Sequence, residues 1–169
     1  RGVPPHRGVV AERGAAMIQV DRRQVRAPLE RMFALAADVE RWPAHLPHYR
    51  WVRFLERRPD GGVVEMAAWR PFGPLRYPTW WVSEMAIDRA ANTVRYRHIR
   101  GITTGMDVLW SVVPGPDGLE VTVTHWWDGP AWPLIRVPAA RFVILPVFVH
   151  AIAQRTLAGL SRAAERGPA

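Results

Sequence analysis

The chain has 169 residues, of which 49% are hydrophobic, so it is long enough to form one domain with a sizeable core. It contains no cysteine, which excludes disulfides, thiol nucleophiles and thiolate metal sites. All 23 basic residues are arginine and give a net charge of +8, but they are dispersed, with doublets only at Arg22-Arg23 and Arg57-Arg58, so no nucleic-acid interface is predicted.

The first elements along the chain are a strand and a pair of short helices. The first strand is predicted over residues 17–25. Pro28 suits the first turn of a helix, where its missing N–H needs no partner. The apolar side chains that follow it share one helix face, being Leu29, Met32, Phe33 and Ala36. A second short helix is predicted over Asp38–Pro47.

The middle of the chain has strand character throughout. Turn residues such as Pro59-Asp60-Gly61-Gly62 and Pro114-Gly115-Pro116-Asp117-Gly118 separate apolar, β-prone runs. Short turns between successive strands favour an antiparallel sheet. The six strands predicted after the helices are Arg50–Glu56, Val63–Arg70, Thr79–Ile87, Thr93–Arg100, Thr104–Val113 and Leu119–Asp128.

The last part, Gly129–Ala169, begins as a Pro/Trp-rich loop and becomes helical near Ala139. Pro146 is expected to kink this helix or to mark its start. The apolar run Phe142–Ala153 falls short of the roughly 20 residues that cross a bilayer, so no transmembrane helix is predicted. We expect residues 1–14 to be a flexible tail and residues 15–166 to be one ligand-binding domain.

Several short motifs, in this order and spacing, resemble the START-like (helix-grip, SRPBCC) superfamily. Its polyketide cyclase/dehydrase and coenzyme-Q-binding-like branch is the most similar, over roughly residues 24–165. The motifs are Val25-Arg26-Ala27-Pro28, Glu40-Arg41-Trp42-Pro43 with Tyr49, Leu55-Glu56, Trp81-Val82-Ser83-Glu84, and Met106-Asp107 with Trp110.

The resemblance implies an α+β helix-grip fold. In it a curved seven-stranded antiparallel sheet wraps around a long C-terminal helix, and a deep cavity lies between them. Relatives of this kind include aromatase/cyclases, coenzyme-Q-binding proteins, plant hormone carriers and lipid-transfer domains. The resemblance therefore limits the class of ligand and leaves the chemistry open.

Alternation along each strand predicts which side chains face that cavity. Arg95 and Arg97 are expected outside. Alternation alone does not decide which face of the fourth strand is inward, and the resemblance favours the face that carries Trp81. The inward sets are Leu119, Val121, Val123, His125 and Trp127; Met106, Val108, Trp110 and Val112; Val94, Tyr96, His98 and Arg100; and Trp81, Ser83, Met85 and Ile87.

The predicted ligand-binding residues form an apolar, aromatic lining with few polar groups, as is usual for a small-molecule pocket. Large aromatic rings that simply fill a core are the competing explanation for most of them. The predicted set is Trp42, Tyr49, Trp81, Ser83, Met85, Tyr96, Met106, Trp110, His125 and Trp127.

Few catalytic chemistries fit the sequence. None of the serines lies in a G-x-S-x-G elbow, and no glycine-rich phosphate loop is present, so no cofactor is predicted. His45-x-x-His48 has no evident third ligand, so no metal is predicted. General acid/base catalysis by His98, His125 or Tyr96 is the remaining enzymatic hypothesis.

One position departs from the aromatase/cyclase pattern. Those enzymes tend to carry a cavity arginine just after the Trp-Val-Ser-x segment, and this chain has Met85 there. A thioether offers only soft apolar contact, whereas an arginine would bind ketone or enolate oxygens. This difference favours binding over cyclisation.

The leading hypothesis is a non-catalytic protein that binds or transfers a hydrophobic small molecule: a quinone, isoprenoid, lipid or polyketide. The alternatives are a polyketide cyclase/dehydratase and a structural subunit of a larger complex. We expect a cytoplasmic protein. An anionic membrane surface is a candidate peripheral partner, reached through the loop Trp132-Pro133-Leu134-Ile135. Protein partners, if any, are not indicated.

Overall fold

The computed structural model describes residues 17–72, 75–129 and 149–167. Seven strands and three α-helices are present in these ranges, with a 3₁₀ turn (Val39–Arg41) between the first two helices. In chain order the elements are β1 (Met17–Val25), α1 (Leu29–Ala37), α2 (Trp42–His45), β2 (Tyr49–Arg58), β3 (Gly61–Phe72), β4 (Leu75–Asp88), β5 (Thr93–Gly101), β6 (Asp107–Gly115), β7 (Gly118–Trp127) and α3 (His150–Arg166).

The strands form one antiparallel sheet in the order β1-β7-β6-β5-β4-β3-β2. Every sequential pair from β2 to β7 is hydrogen-bonded to its neighbour, whereas β1 and β2 lie at opposite edges. The connection through α1 and α2 therefore has to carry the chain across the inner face of the sheet. This is the helix-grip fold that the resemblance implied, and the fold prediction is confirmed.

The alternation of burial confirms most of the inward assignments. In β7 the side chains of Leu119, Val121, Val123, His125 and Trp127 are all buried. The prediction for Arg100 was wrong, because its side chain is exposed. Ser83 of β4 pairs with His98 while Val82 pairs with Arg100, so Ile99 is an extra residue in β5. This irregularity reverses the face of every later residue of that strand.

Several predicted boundaries differ from the observed ones. β6 begins at Asp107 because residues 101–105 form a turn in which the Gly105 N–H donates to the His98 carbonyl at 2.8 Å. β3 and β4 extend further into their hairpin than predicted, to Phe72 and from Leu75. The predicted helix over 38–47 is a 3₁₀ turn followed by the one-turn helix α2.

α3 covers the concave face of the sheet. Leu157, Leu160 and Ala164 are fully buried against the core. A buried carboxylate also holds the start of α3 against β1: Asp21 Oδ1 lies 2.6 Å from His150 Nδ1 and accepts a bond of 2.7 Å from Gln154 Nε2. Both contacts reach Oδ1, whereas Oδ2 is buried without a hydrogen-bond partner among the described residues.

The predicted helix start near Ala139, the loop over residues 132–135 and the tail over residues 1–14 lie outside the described residues. Within the described part, no helix is long and apolar enough to cross a bilayer.

Gly62 and Gly105 give a matched test of the β2–β3 turn. Both have a positive φ, of 136° and 86°. A Cβ at Gly62 would lie 2.1 Å from the Glu56 carbonyl oxygen, whereas a Cβ at Gly105 would meet nothing within 4 Å. We expect Gly62→Ala to lower the free energy of unfolding by about 2–4 kcal/mol and Gly105→Ala by about 1 kcal/mol. Urea denaturation measures both, and equal losses would contradict this account of the turn.

Candidate functional site

The candidate site is a cavity of about 90 Å³ between the inner face of the sheet, α2 and the first turns of α3. Strands β3 to β7 form its floor. Its walls are mostly apolar and aromatic. The lining residues are Trp42, Tyr49, Met66, Thr79, Trp81, Tyr96, His98, Ile102, Thr103, Met106, Val108, Trp110, Val123, His125, Val149 and Ile152.

The structure brings most of the predicted site residues together. The predicted residues that line the cavity are Trp42, Tyr49, Trp81, Tyr96, His98, Met106, Trp110 and His125. Ser83, Met85 and Trp127 are also buried on the inner face but do not line the cavity. The prediction of the inward face was therefore right for these three, and the structure does not place them at the site.

Position along the strand explains those exceptions. Met85 pairs with Gly62, towards the β2–β3 turn, whereas the lining residue Trp81 pairs with Met66 and Gly101 near the other end of the sheet. Trp127 is the last residue of β7, and its indole N–H donates to the Thr104 carbonyl at 3.1 Å. Alternation fixes the face of a residue but not how far along the strand a cavity extends.

An aromatic chain forms one wall of the cavity. The Trp42 ring lies 5.3 Å from Tyr49 and 5.7 Å from Trp110, measured between centroids. Trp81 lies 6.2 Å from Tyr49 and stacks on His98 at 6.1 Å. The Trp42 indole N–H donates to the Leu35 carbonyl at 2.9 Å, which fixes the ring against α1. These contacts make the wall rigid and apolar.

Two polar atoms of the cavity residues are buried without a hydrogen-bond partner among the described residues. They are the hydroxyl of Tyr96 and Nδ1 of His125. Both residues pair in register with Val108, so they flank it on the cavity floor. A buried polar atom without a partner costs about 1–3 kcal/mol, which distinguishes this arrangement from an ordinary apolar core.

Burial also sets the protonation states of these groups. It lowers the pKa of His125 to about 3, with a smaller contribution from His98. It lowers the pKa of His98 to about 4. Burial raises the pKa of Tyr96 well above its ordinary value. At neutral pH both imidazoles are therefore neutral and the Tyr96 phenol is protonated.

Sequence reasoning missed the residues that the turn before β6 contributes. Thr103 and Ile102 line the cavity, and Thr103 Oγ1 lies 2.6 Å from His98 Nδ1. This contact occupies one nitrogen of His98, whereas Nδ1 of His125 stays unpaired. The signal in the sequence was Gly101 and Gly105, which mark a turn where we predicted the start of a strand.

His48 was also missed as a neighbour of the cavity wall. Its Nε2 lies 3.0 Å from Thr156 Oγ1, which in turn lies 3.4 Å from the Tyr49 hydroxyl. Thr156 Oγ1 also donates to the Ile152 carbonyl at 2.8 Å. Burial, followed by Arg155, lowers the pKa of His48 to about 4.

No group of three metal-binding side chains occurs within the described ranges. His45 and His48, which have a suggestive spacing, lie on a separate groove behind the cavity wall. Neither of them is among the described residues that line the cavity.

A hydrophobic cavity between a curved antiparallel sheet and a C-terminal helix defines a class of small-molecule-binding proteins. The chain belongs to the family described as "Polyketide cyclase / dehydrase and lipid transport", whose model matches residues 25–147. It is 34% identical to a Streptomyces halstedii protein named as a candidate polyketide cyclase, over 97 residues that make up 56% of this chain and 86% of the relative.

Solved structures share the whole fold. The Zhui aromatase/cyclase from a Streptomyces species aligns with a TM-score of 0.76 at 20% identity, covering 89% of this chain and 94% of that one. A START superfamily protein from Mycobacterium smegmatis aligns with a TM-score of 0.68 at 17% identity, covering 88% and 97%. At these identities the likeness establishes the fold alone.

The buried imidazoles predict that acid destabilises the protein. In the unfolded chain His125 regains a pKa near 6.5, so the unfolded state binds one proton more than the folded state between about pH 6.5 and pH 3. The stability that neutral His125 contributes is complete above pH 6.5 and is lost as the pH falls, by about 1.4 kcal/mol per pH unit. His125→Gln should flatten the profile by about that slope between pH 6.5 and 4 in urea denaturation. Parallel profiles would contradict a buried neutral His125.

Proposed function

We propose that the protein binds a hydrophobic small molecule that carries at least one carbonyl oxygen. The observation that carries this proposal is the pair of unpartnered polar atoms, Tyr96 OH and His125 Nδ1, in an otherwise aromatic cavity. A protonated phenol is a hydrogen-bond donor, and a carbonyl oxygen is the acceptor that an apolar ring system can present to it. The ligand completes contacts that the protein leaves open.

The size of the cavity supports a partial fit of a larger molecule. A volume of about 90 Å³ is below the roughly 300–1,000 Å³ of pockets that enclose a drug-sized ligand. One ring or one chain end fits within these walls, and the rest of a longer ligand extends towards the mouth. Polyketides and quinones satisfy both requirements, because both carry carbonyl oxygens on apolar frameworks. A plain isoprenoid lacks the acceptor.

A purely structural role is less well supported by the same observation. A core that served only packing would lose nothing by having phenylalanine in place of Tyr96, and would avoid the cost of an unsatisfied hydroxyl. The family match to polyketide cyclase/dehydrase and lipid transport proteins supports a ligand on independent grounds.

Mass spectrometry of an organic extract from gently purified protein tests this proposal directly. We expect an apolar, carbonyl-bearing compound in a near-stoichiometric amount. Protein freed of that compound should then bind 1,4-naphthoquinone, which quenches the fluorescence of the tryptophans around it. The absence of cysteine and lysine removes the usual side reactions of quinones with protein. An empty extract together with no quenching above that of free tryptophan would overturn the proposal.

Tyr96→Phe and Ser83→Ala form a matched pair for the role of the hydroxyl. Both remove a buried hydroxyl without a partner, but only Tyr96 lines the cavity. Each substitution should raise the free energy of unfolding of the ligand-free protein by about 1 kcal/mol. Only Tyr96→Phe should weaken naphthoquinone binding, by about tenfold, as the loss of one hydrogen bond requires. Equal affinities in the two variants would remove Tyr96 from the binding site.

A second candidate function is cyclisation and dehydration of a polyketide, and the comparisons favour it. Tyr96 would donate to the ketone oxygen as it gains charge, and His125 would accept the proton from the adjacent methylene. An imidazole with a pKa near 3 is a weak base for that step, since general bases work best with a pKa near the operating pH. This is why we place binding first.

Product analysis after incubation with a short poly-β-ketone thioester separates the two functions. Under the binding proposal, cyclised products form at the uncatalysed rate in wild type and in His125→Ala. A wild-type rate at least 100-fold above background that His125→Ala abolishes, with naphthoquinone affinity retained, would establish the enzyme instead.

A further inference from the structure

A second and larger groove lies on α3, separate from the candidate site. Its volume is about 570 Å³, and none of its described lining residues lines the smaller cavity. It is formed by residues 45–48 at the end of α2, by Trp69 and Arg76 of the β3–β4 hairpin, and by α3 between Gln154 and Arg162. Neither the family match nor the proposed function assigns anything to it.

Three arginines line this groove, namely Arg76, Arg155 and Arg162. No carboxylate is among its described lining residues. Elsewhere in the described ranges, arginines such as Arg58 and Arg97 lie within 3 Å of an acidic side chain. Like charges that line one concave surface raise the positive potential there, which attracts an anion.

The spacing on α3 places two of the three arginines on one face of the helix. Arg155, Ala158, Gly159 and Arg162 follow the i, i+3, i+4, i+7 pattern of one helix face. The two arginines are thus about 10 Å apart along the axis, with only small side chains between them. A Cβ at Gly159 would lie 2.2 Å from Leu46 Cδ2, so this part of the floor has no room for a larger residue.

The remaining walls combine apolar residues with the polar side chains of His45, His48 and Gln154. Trp69, Leu46 and Pro47 line the groove next to the arginines. Trp69 is held in place by Arg50, whose guanidinium carbon lies 4.6 Å from the indole centroid, and by its own backbone N–H, which donates to the His48 carbonyl at 2.6 Å. An apolar surface beside a basic one suits a ligand with an anionic head and an apolar body.

We propose that this groove binds the phosphate group of an apolar phosphate ester. Guanidinium groups present several N–H donors in a plane and recognise phosphate oxygens bidentately, and three arginines line this groove. The phosphate lies between the arginines over Ala158, and its apolar body packs on Trp69. The effect of Arg155 on the pKa of His48 is consistent with a basic field in the groove.

Titration of the full chain with phenyl phosphate, followed by ³¹P NMR and calorimetry, tests the proposal. We compare wild type with the double variant Arg155→Gln/Arg162→Gln. The matched control, Arg22→Gln/Arg95→Gln, removes the same charge from exposed positions on β1 and β5. The groove variant should lose at least tenfold in affinity, whereas the control should change less than twofold. Wild-type affinity should also fall as salt rises.

The phosphate can belong to a soluble ester or to a lipid, and a second arm distinguishes them. Sedimentation with vesicles of phosphatidylcholine containing 20% phosphatidic acid (about one lipid in five) reports the lipid source. Binding to these vesicles that the groove variant loses and the control keeps supports a lipid phosphate. Failure of wild type to bind either probe, or equal loss in both double variants, would overturn the proposal. Naphthoquinone quenching is unaffected by either result, so the two proposals fail separately.

Discussion

The rest of the structure depends on how the concave face of the sheet is covered. β1 and β2 lie at opposite edges, so α1 and α2 must cross that face, and α3 fills what they leave exposed. Each inward residue of β4 to β7 therefore packs against a helix or borders the space between helices. The cavity is what remains where α2 and the start of α3 do not meet. Its position follows from chain connectivity rather than from any one side chain.

The alternation of apolar and polar residues predicts which face of a strand each side chain occupies. The alternation in β7 is strict, and its inward residues could be assigned from the sequence because a shift by one residue would expose all of them. The extra residue Ile99 has no such signal, so Arg100 was placed on the wrong face. Ser83, Met85 and Trp127 were placed on the correct face but wrongly expected to line the cavity. Their face was predictable, but their distance from the cavity depends on where the helices lie.

The arginines of the groove show most clearly what the sequence alone does not predict. Along the sequence the arginines are dispersed, and no stripe or arm of positive charge is visible. Folding brings Arg76 of a hairpin to Arg155 and Arg162 of α3, across about 80 residues of chain. The spacing of His48 and His45 suggested a metal motif, whereas in the structure His48 Nε2 is hydrogen-bonded to Thr156 Oγ1. The arginine groove and the His48–Thr156 contact both join segments that are distant in sequence. The local sequence therefore contains no signal for either of them.

The two candidate sites meet at one hydroxyl. Tyr49 lines the cavity, His48 lines the groove, and Thr156 lies within hydrogen-bond distance of both. An anion in the groove favours the protonated form of His48, which opposes the effect of burial and of Arg155. Thr156 thus joins the groove to the cavity wall through side-chain contacts.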